Sequence, residues 1–296
     1  MHGWIILDKP LGLGSTQAVS AVKRALRHGG YGKAKVGHGG TLDPLASGVL
    51  PVALGEATKL AGRMLDSDKV YDFTIRFGAQ TDTLDAEGSV IATSDVRPDA
   101  AAVAAVLPRF TGPIAQVPPA YSALKVDGAR AYDLARAGEE VVLATRDVVV
   151  HALVLSPAPD GELDSVTLSA LVSKGTYIRS LARDIALALG SVGHVAMLRR
   201  TKAGPFGLCH AISLDKLTEL GNARRLEDIL LPLRAGLDDI PALALDPDQA
   251  GALRQGRVLI GIAEDDGLHF AMLGETPVAL VEVEGGEARV VRGFNL

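Results

Sequence analysis

The tract G-H-G-G-T-L-D-P-L-A-S-G at residues 37–48 gathers several groups that could do chemistry. Asp43 precedes a proline, which restricts its backbone to extended conformations, while glycines on both sides let the main chain bend closely around it. A carboxylate held in this way suits two tasks at an electrophilic carbon: stabilising positive charge as a bond to it breaks, or attacking it. The same fragment also fits a helix start, with Asp at the cap and Pro at the first helical position. His38 reads as a hydrogen-bonded loop histidine and Thr41 as a turn residue. Further along, Arg179 and Arg183 stand one helical turn apart, from where both can reach one polar groove.

Other chemistries lose their warrant. A single cysteine, Cys209, forms no intrachain disulfide and no four-thiolate zinc site, and reads as a small buried hydrophobe. The seven histidines contain no H-E-x-x-H pair, so no metal is expected. Neither G-x-G-x-x-G nor G-x-x-x-x-G-K-[ST] occurs, since Gln17 fills the third glycine position after Gly12 and Gly14. With 48% hydrophobic and 22% charged residues, and no apolar run of roughly 18, the chain reads as globular and soluble. The opening apolar run meets Asp8 and Lys9 too early for a secretory signal, so a cytoplasmic address is expected.

A net charge of −5 argues against a polyanionic partner until its distribution is considered. Residues 1–64 carry a balance of +5, residues 65–235 of −3 and residues 236–296 of −7. Within the middle, residues 174–202 hold six Lys and Arg against Asp184 alone. Two basic stretches, 23–35 and 174–202, therefore leave a nucleic-acid groove open beside the plainer reading of solvated charged faces.

These residues need elements to position them. Residues 4–7 read as a short buried strand. A helix follows, capped by Ser15 or Thr16, with Ala18, Val19, Val22, Ala25 and Leu26 on one face and a stop at Gly29-Gly30. A strand is expected at 49–54 and an amphipathic helix at 56–65. In 70–77 alternation places Tyr71, Phe73, Ile75 and Phe77 on one apolar face. Residues 99–110 read as helix, 118–138 as a loop ending in a short helix, and 146–156 and 165–172 as strands. Residues 176–189 form a helix whose stripe is Ile178, Leu181, Ala182, Ile185 and Leu189, and 195–202 alternates again. Composition turns acidic and Pro/Gly-punctuated near 233–241, where a boundary is expected. Four short strands beyond it (258–262, 268–273, 277–283, 288–292) suggest a small barrel-like module.

Seven blocks between residues 3 and 200 give this outline a family. They are G-W-I-I-L-D-K-P (3–10), the tract from Gly37 to Lys59, K-V-Y (69–71), T-D-T-x-D-x-x-G (81–88), Q-V-P-P-A-Y-S-A-L-K-V-D-G (116–128), S-K-G-T-Y-I-R-S-L-A-R-D (173–184) and H-V-A-M-L-R-R (194–200). In this set and order the chain resembles the TruB family of tRNA pseudouridine synthases. The resemblance implies an α+β fold: a catalytic domain over 1–235 on a central, mainly antiparallel sheet, with an RNA-contacting loop at about 118–140, then a small β-rich PUA-like RNA-binding domain over 236–296. It implies isomerisation of uridine-55 in the TΨC loop of tRNA, with that stem-loop as partner and with no membrane and no obligate protein partner.

The resemblance also assigns roles. Asp43 falls on the essential aspartate, Tyr71 on the tyrosine that packs against the base and assists proton transfer, and Arg179 on the arginine that pairs with the carboxylate. Leu198 falls on a lining residue of the uracil pocket, and His38 on a residue that fills the gap left by the extruded base. Asp85, Tyr177 and Lys59 match pocket or motif positions. Gly39 departs from the Thr or Ser of many relatives. Uridine and pseudouridine are isomers, so no cofactor is expected. The chemistry needs the N1–C1′ bond broken beside a carboxylate, in a pocket that keeps water out while the base turns. An RNA-folding chaperone without catalysis is the alternative that the basic stretches fit equally, and a nucleosidase releasing free uracil would share the C1′ chemistry.

Overall fold

Half-buried strands need cover for one face, and helices with an apolar stripe supply it. The computed structural model describes residues 1–296 apart from 123, 127, 128, 139, 140 and 142. In chain order its strands are β1 (Gly3–Lys9), β2 (Val36–His38), β3 (Ala46–Leu54), β4 (Lys69–Phe77), β5 (Ala79–Thr81), β6 (Val90–Thr93), β7 (Gly112–Gln116), β8 (Lys125–Val126) and β9 (Ala129–Arg130). There follow β10 (Arg146–Leu155), β11 (Ser165–Val172), β12 (Gly193–Ala203), β13 (Phe206–Gly207), β14 (Ala242–Ala244), β15 (Leu259–Ile260), β16 (Gly267–Leu273), β17 (Thr276–Glu284) and β18 (Glu287–Gly293). The α-helices are α1 (Ser15–His28), α2 (Ala61–Asp66), α3 (Ala100–Val106), α4 (Ala131–Arg136), α5 (Ile178–Ala188), α6 (Leu214–Asn222) and α7 (Pro247–Arg254).

The main sheet runs β1-β3-β12-β4-β11-β10-β7, with β2 beside β3 and β13 beside β12. Its pairs are antiparallel except β3 with β12. The resemblance's mainly antiparallel sheet is what the chain forms. Phe73, Ile75, Leu168 and Val195 pack against Ile178, Leu181 and Ile185 of α5 in one core cluster. In another, α1 and α6 cover β1 and β3 through Ala18, Val22, Leu26, Leu217 and Leu220 on Ile5, Leu7, Leu50 and Val52. Each large side chain fully buried this way contributes about 1.5–3 kcal/mol over leaving it exposed.

Several expectations need correction. Ser15 does not cap α1: Gly14 holds the cap position, and the Ser15 hydroxyl turns instead to the backbone of Leu42. The helix expected at 56–65 begins as a 3-10 turn, Gly55–Leu60, before α2. Cys209 is exposed, not buried. Part of the 118–140 loop (123, 127, 128, 139 and 140) lies outside the described residues.

Beyond residue 241 five strands, one more than expected, pair in the order β14-β16-β17-β18-β15. Helix α7 was missed although Asp246 caps it, accepting from the Gln249 amide, with Pro247 at its first position. This sheet shares a core with the first part of the chain, where Phe270, Met272, Leu280 and Phe294 pack with Trp4, Met64 and Leu233. Among the described residues no helix is long and apolar enough to cross a membrane.

Candidate active site

Asp43 does not start a helix. Its carbonyl accepts the Ala46 amide at 3.0 Å, so Asp43-Pro44-Leu45-Ala46 is a turn that launches β3. The parallel pairing of β3 with β12 sets Leu198 opposite Ala46, three residues after the aspartate, and β4 sets Phe73 opposite Leu198 on the other side. A cavity of about 190 Å³ results, lined by Asp43, Leu45, Asp85, Arg179, Val195 and Leu198 among others.

Arg179 reaches the cavity from the second position of α5, which starts at Ile178 with Tyr177 at its cap. The Tyr177 backbone is locked by Gln116, whose side-chain carbonyl accepts the Tyr177 amide at 2.8 Å and whose NH₂ donates to the Tyr177 carbonyl at 3.1 Å. The buried guanidinium then serves two carboxylates. Nη2 lies 3.0 Å from Asp43 Oδ2, and Nη1 lies 3.2 Å from Asp85 Oδ2. It also donates to the carbonyls of Thr83 at 2.9 Å and Tyr121 at 3.0 Å. With its fork fixed at four points, Arg179 presents a pre-aimed positive charge to Asp43.

The T-D-T-x-D-x-x-G block explains itself as the mount for Asp85. Asp82 Oδ1 accepts the amides of Thr83 and Ser89, and a Cβ on Gly88 would stand 2.2 Å from that oxygen. Asp85 Oδ1 accepts from the Thr83 hydroxyl at 2.6 Å and the Glu87 amide at 3.1 Å, leaving Oδ2 for the arginine.

The structure places the remaining candidates as follows. Tyr71 lies on β4 opposite Arg200 and Ala170, half-buried against the cluster that also holds Leu198, outside the cavity lining. His38 ends β2 instead of lying in a loop; its Nδ1 is buried without a partner, and burial, with the charge of Arg200 second, lowers its pKa. Burial pushes the Tyr177 phenol up. Lys59 is not brought to the cavity: it pairs with Glu56 at 2.7 Å and donates to the Gly293 carbonyl at 2.9 Å, fastening the last strand. Arg183 donates to the Val117 carbonyl and pairs with Asp184 at 2.8 Å, away from Asp43.

Three side chains that the sequence did not assign to the site hold the aspartate's tract. Lys9 Nζ donates to the carbonyls of Leu13 at 2.6 Å and Pro44 at 3.4 Å, and burial lowers its pKa to about 8 despite the attraction of Asp43. Ser15 bonds both the amide and the carbonyl of Leu42, and Arg200 bonds the carbonyls of Gly40, Thr41 and Val49. Their signal was present, since Lys9 and Arg200 sit inside quoted blocks, but nothing in sequence says which way they turn. A larger groove, about 470 Å³, opens beside α2 and residues 238–239, and no candidate residue lines it.

Comparison with known proteins settles the family. Residues 27–178 match the model of the TruB family pseudouridylate synthase N-terminal domain, and residues 179–238 that of the tRNA pseudouridylate synthase B C-terminal domain. The chain belongs to the TruB family of pseudouridylate synthases. It is thus a pseudouridine synthase, an isomerase. A tRNA pseudouridine synthase B from Novosphingobium aromaticivorans is 67% identical, over all of this chain and 98% of its own length, and one from Zymomonas mobilis is 64% identical over all of this chain and 96% of its own. A solved H/ACA ribonucleoprotein bound to a substrate RNA containing 2′-deoxyuridine contains a chain of the same fold, with TM-score 0.74 and 25% identity, covering 99% of this chain and 85% of that one. The two TruB-family matches divide at Arg179, so the Asp43–Arg179 pair joins them.

Proposed function

We propose that this TruB-family synthase isomerises uridine-55 in the TΨC loop of tRNA to pseudouridine, with residues 1–235 catalysing and residues 236–296 acting as a PUA-like RNA-binding part. The observation that carries the reading is the Asp43–Arg179 pair at 3.0 Å in a small cavity walled by Leu45, Val195 and Leu198. The names of the TruB relatives support tRNA as the substrate class. At about 190 Å³ the cavity is below the roughly 300 Å³ at which drug-sized sites begin, as a site for one extruded base should be.

In the proposed reaction Asp43 supports cleavage of the N1–C1′ bond, where positive character develops at C1′. Arg179 keeps the carboxylate ionised and aimed. The freed uracil turns against Leu198 until C5 faces C1′, and the apolar wall keeps water from the sugar. After C5–C1′ bond formation the C5 proton leaves and N1 gains one, with Tyr71 as mediator, so the product is an isomer. His38, its ring kept neutral by burial, fills the space the uridine vacates. Asp85 acts through Arg179.

Phosphate contacts fall to Lys23, Arg24, Arg27, Lys33 and Lys35, which are exposed and make no ion pair among the described residues. Mapping the product nucleoside in a reacted transcript tests the reading. Pseudouridine confined to the TΨC loop is the expected result, and free uracil as main product would contradict it.

A further inference from the structure

Residues 40–42 lead directly into Asp43, and two buried side chains grip them. The Ser15 hydroxyl, at the first position of α1, donates to the Leu42 carbonyl at 2.9 Å and accepts the Leu42 amide at 2.8 Å. Arg200 sends Nη2 to Gly40 O at 3.2 Å, Nη1 to Thr41 O at 3.3 Å and Nε to Val49 O at 2.7 Å, so its guanidinium ties the chain before Asp43 to the strand after it. The backbone is shaped for that grip. Gly40 has φ +123°, and Gly48 has φ +103° with its absent Cβ only 2.1 Å from the Arg200 carbonyl, so β12 can lie against β3 and send the arginine forward.

Packing alone does not account for Arg200. Its residue is 1% exposed, and it forms no ion pair among the described residues. A buried charge without a counter-charge is expensive, and apolar residues of similar volume commonly serve stability as well. What the guanidinium supplies instead is a rigid fork matched to three carbonyls, together with a positive charge behind the Asp43 tract. That charge is felt locally: after burial, Arg200 is a cause of the lowered pKa of His38 and of Lys69.

We infer that Ser15 and Arg200 are positioning residues, holding residues 40–42 so that the Asp43 carboxylate stands at its reacting geometry. The inference rests on the proposed role of Asp43. Displacement of a reacting group by about 1 Å can cost on the order of a hundredfold in rate without loss of substrate binding. The consequence is a split between chemistry and affinity.

The test is single-turnover release of tritium from tRNA labelled at uracil C5, with tRNA affinity measured separately, for the parent, Ser15→Ala, Ser15→Thr and Arg200→Lys. All are compared well below the melting midpoint of each. Ser15→Ala is expected to bind tRNA within about twofold of the parent and to react about 10- to 100-fold more slowly, with Ser15→Thr recovering most of the rate. Arg200→Lys, which keeps the charge and loses the fork, is expected to slow similarly. Should Arg200→Lys fail to fold, the Ser15 pair decides. A parental rate in Ser15→Ala, a fall only in proportion to the folded fraction, or a loss confined to affinity overturns the inference. A silent parent would instead remove the proposed role of Asp43 itself, and the inference with it.

Discussion

Lys23, Arg24, Arg27, Lys33 and Lys35 stand exposed and without ion pairs among the described residues, whereas most basic residues of 174–202 are held by carboxylates or carbonyls. Arg179 holds Asp43 and Asp85, Arg199 pairs with Asp8 at 2.8 Å, Arg200 is buried on carbonyls, and Lys174 pairs with Asp66 at 2.9 Å. In sequence the two stretches are equally basic. Their difference lies in what faces them: Asp8, Asp43, Asp66 and Asp85, with carbonyls of the 37–48 tract and β3, face the second stretch, while α1 offers the first only solvent. The burial of Arg200 takes it out of the nucleic-acid groove that the two basic stretches leave open.

The sharpest break in that comparison would come from Arg179→Gln. Loss of the charge beside Asp43 is expected to lower the single-turnover rate about 10²- to 10³-fold while tRNA affinity stays within a few-fold, as separate rate and binding assays would show. A binding defect of the same size would place Arg179 with the outward group. Replacing Lys23, Arg24 and Arg27 together by Ala should do the reverse. Affinity should weaken roughly 10- to 100-fold near physiological salt, the slope of log K against log salt should become shallower by about two to three, and thermal stability should change by less than about 0.5 kcal/mol per site. An unchanged slope would show that α1 does not meet phosphate.

Gly39→Ser probes the inner tract by volume. A Cβ there would lie 2.5 Å from Met64 Cβ, so a destabilisation of about 1–3 kcal/mol is expected in denaturant titrations, and Met64→Ala, which keeps that Cβ, should not abolish it. The departure at Gly39 thus has a local reason in this chain. The smallest effect concerns His38. Its folded pKa lies below the ordinary 6.5, so under that pH the unfolded chain takes up a proton that the folded chain refuses. Stability of the parent should fall as pH drops from about 6.5 towards the folded pKa, and this part of the fall should vanish in His38→Gln.

Periodicity made β4, α1 and α5 legible because each buries one face with a regular stripe. The mount of the site came from shared motif residues: the Asp43–Arg179 partnership spans 136 positions, a distance that spacing alone does not bridge. Other features depended on tertiary neighbours. Alternation in β12 could not say that Arg200 would be swallowed while Arg199 met Asp8, because that follows from the parallel pairing with β3. Lys59 looked like part of the site tract and instead secures Gly293, a contact set by the packing of the last sheet. Helix α7 was readable in D-P-x-Q and was passed over among strand signals.

Incubation with unmodified tRNA carrying tritium at uracil C5, in EDTA without added cofactor, tests the central claim most directly. The parent should release one equivalent, mapped to the TΨC-loop uridine, and Asp43→Asn should release none while binding the same tRNA. No release by the parent, or equal release by Asp43→Asn, would contradict the account.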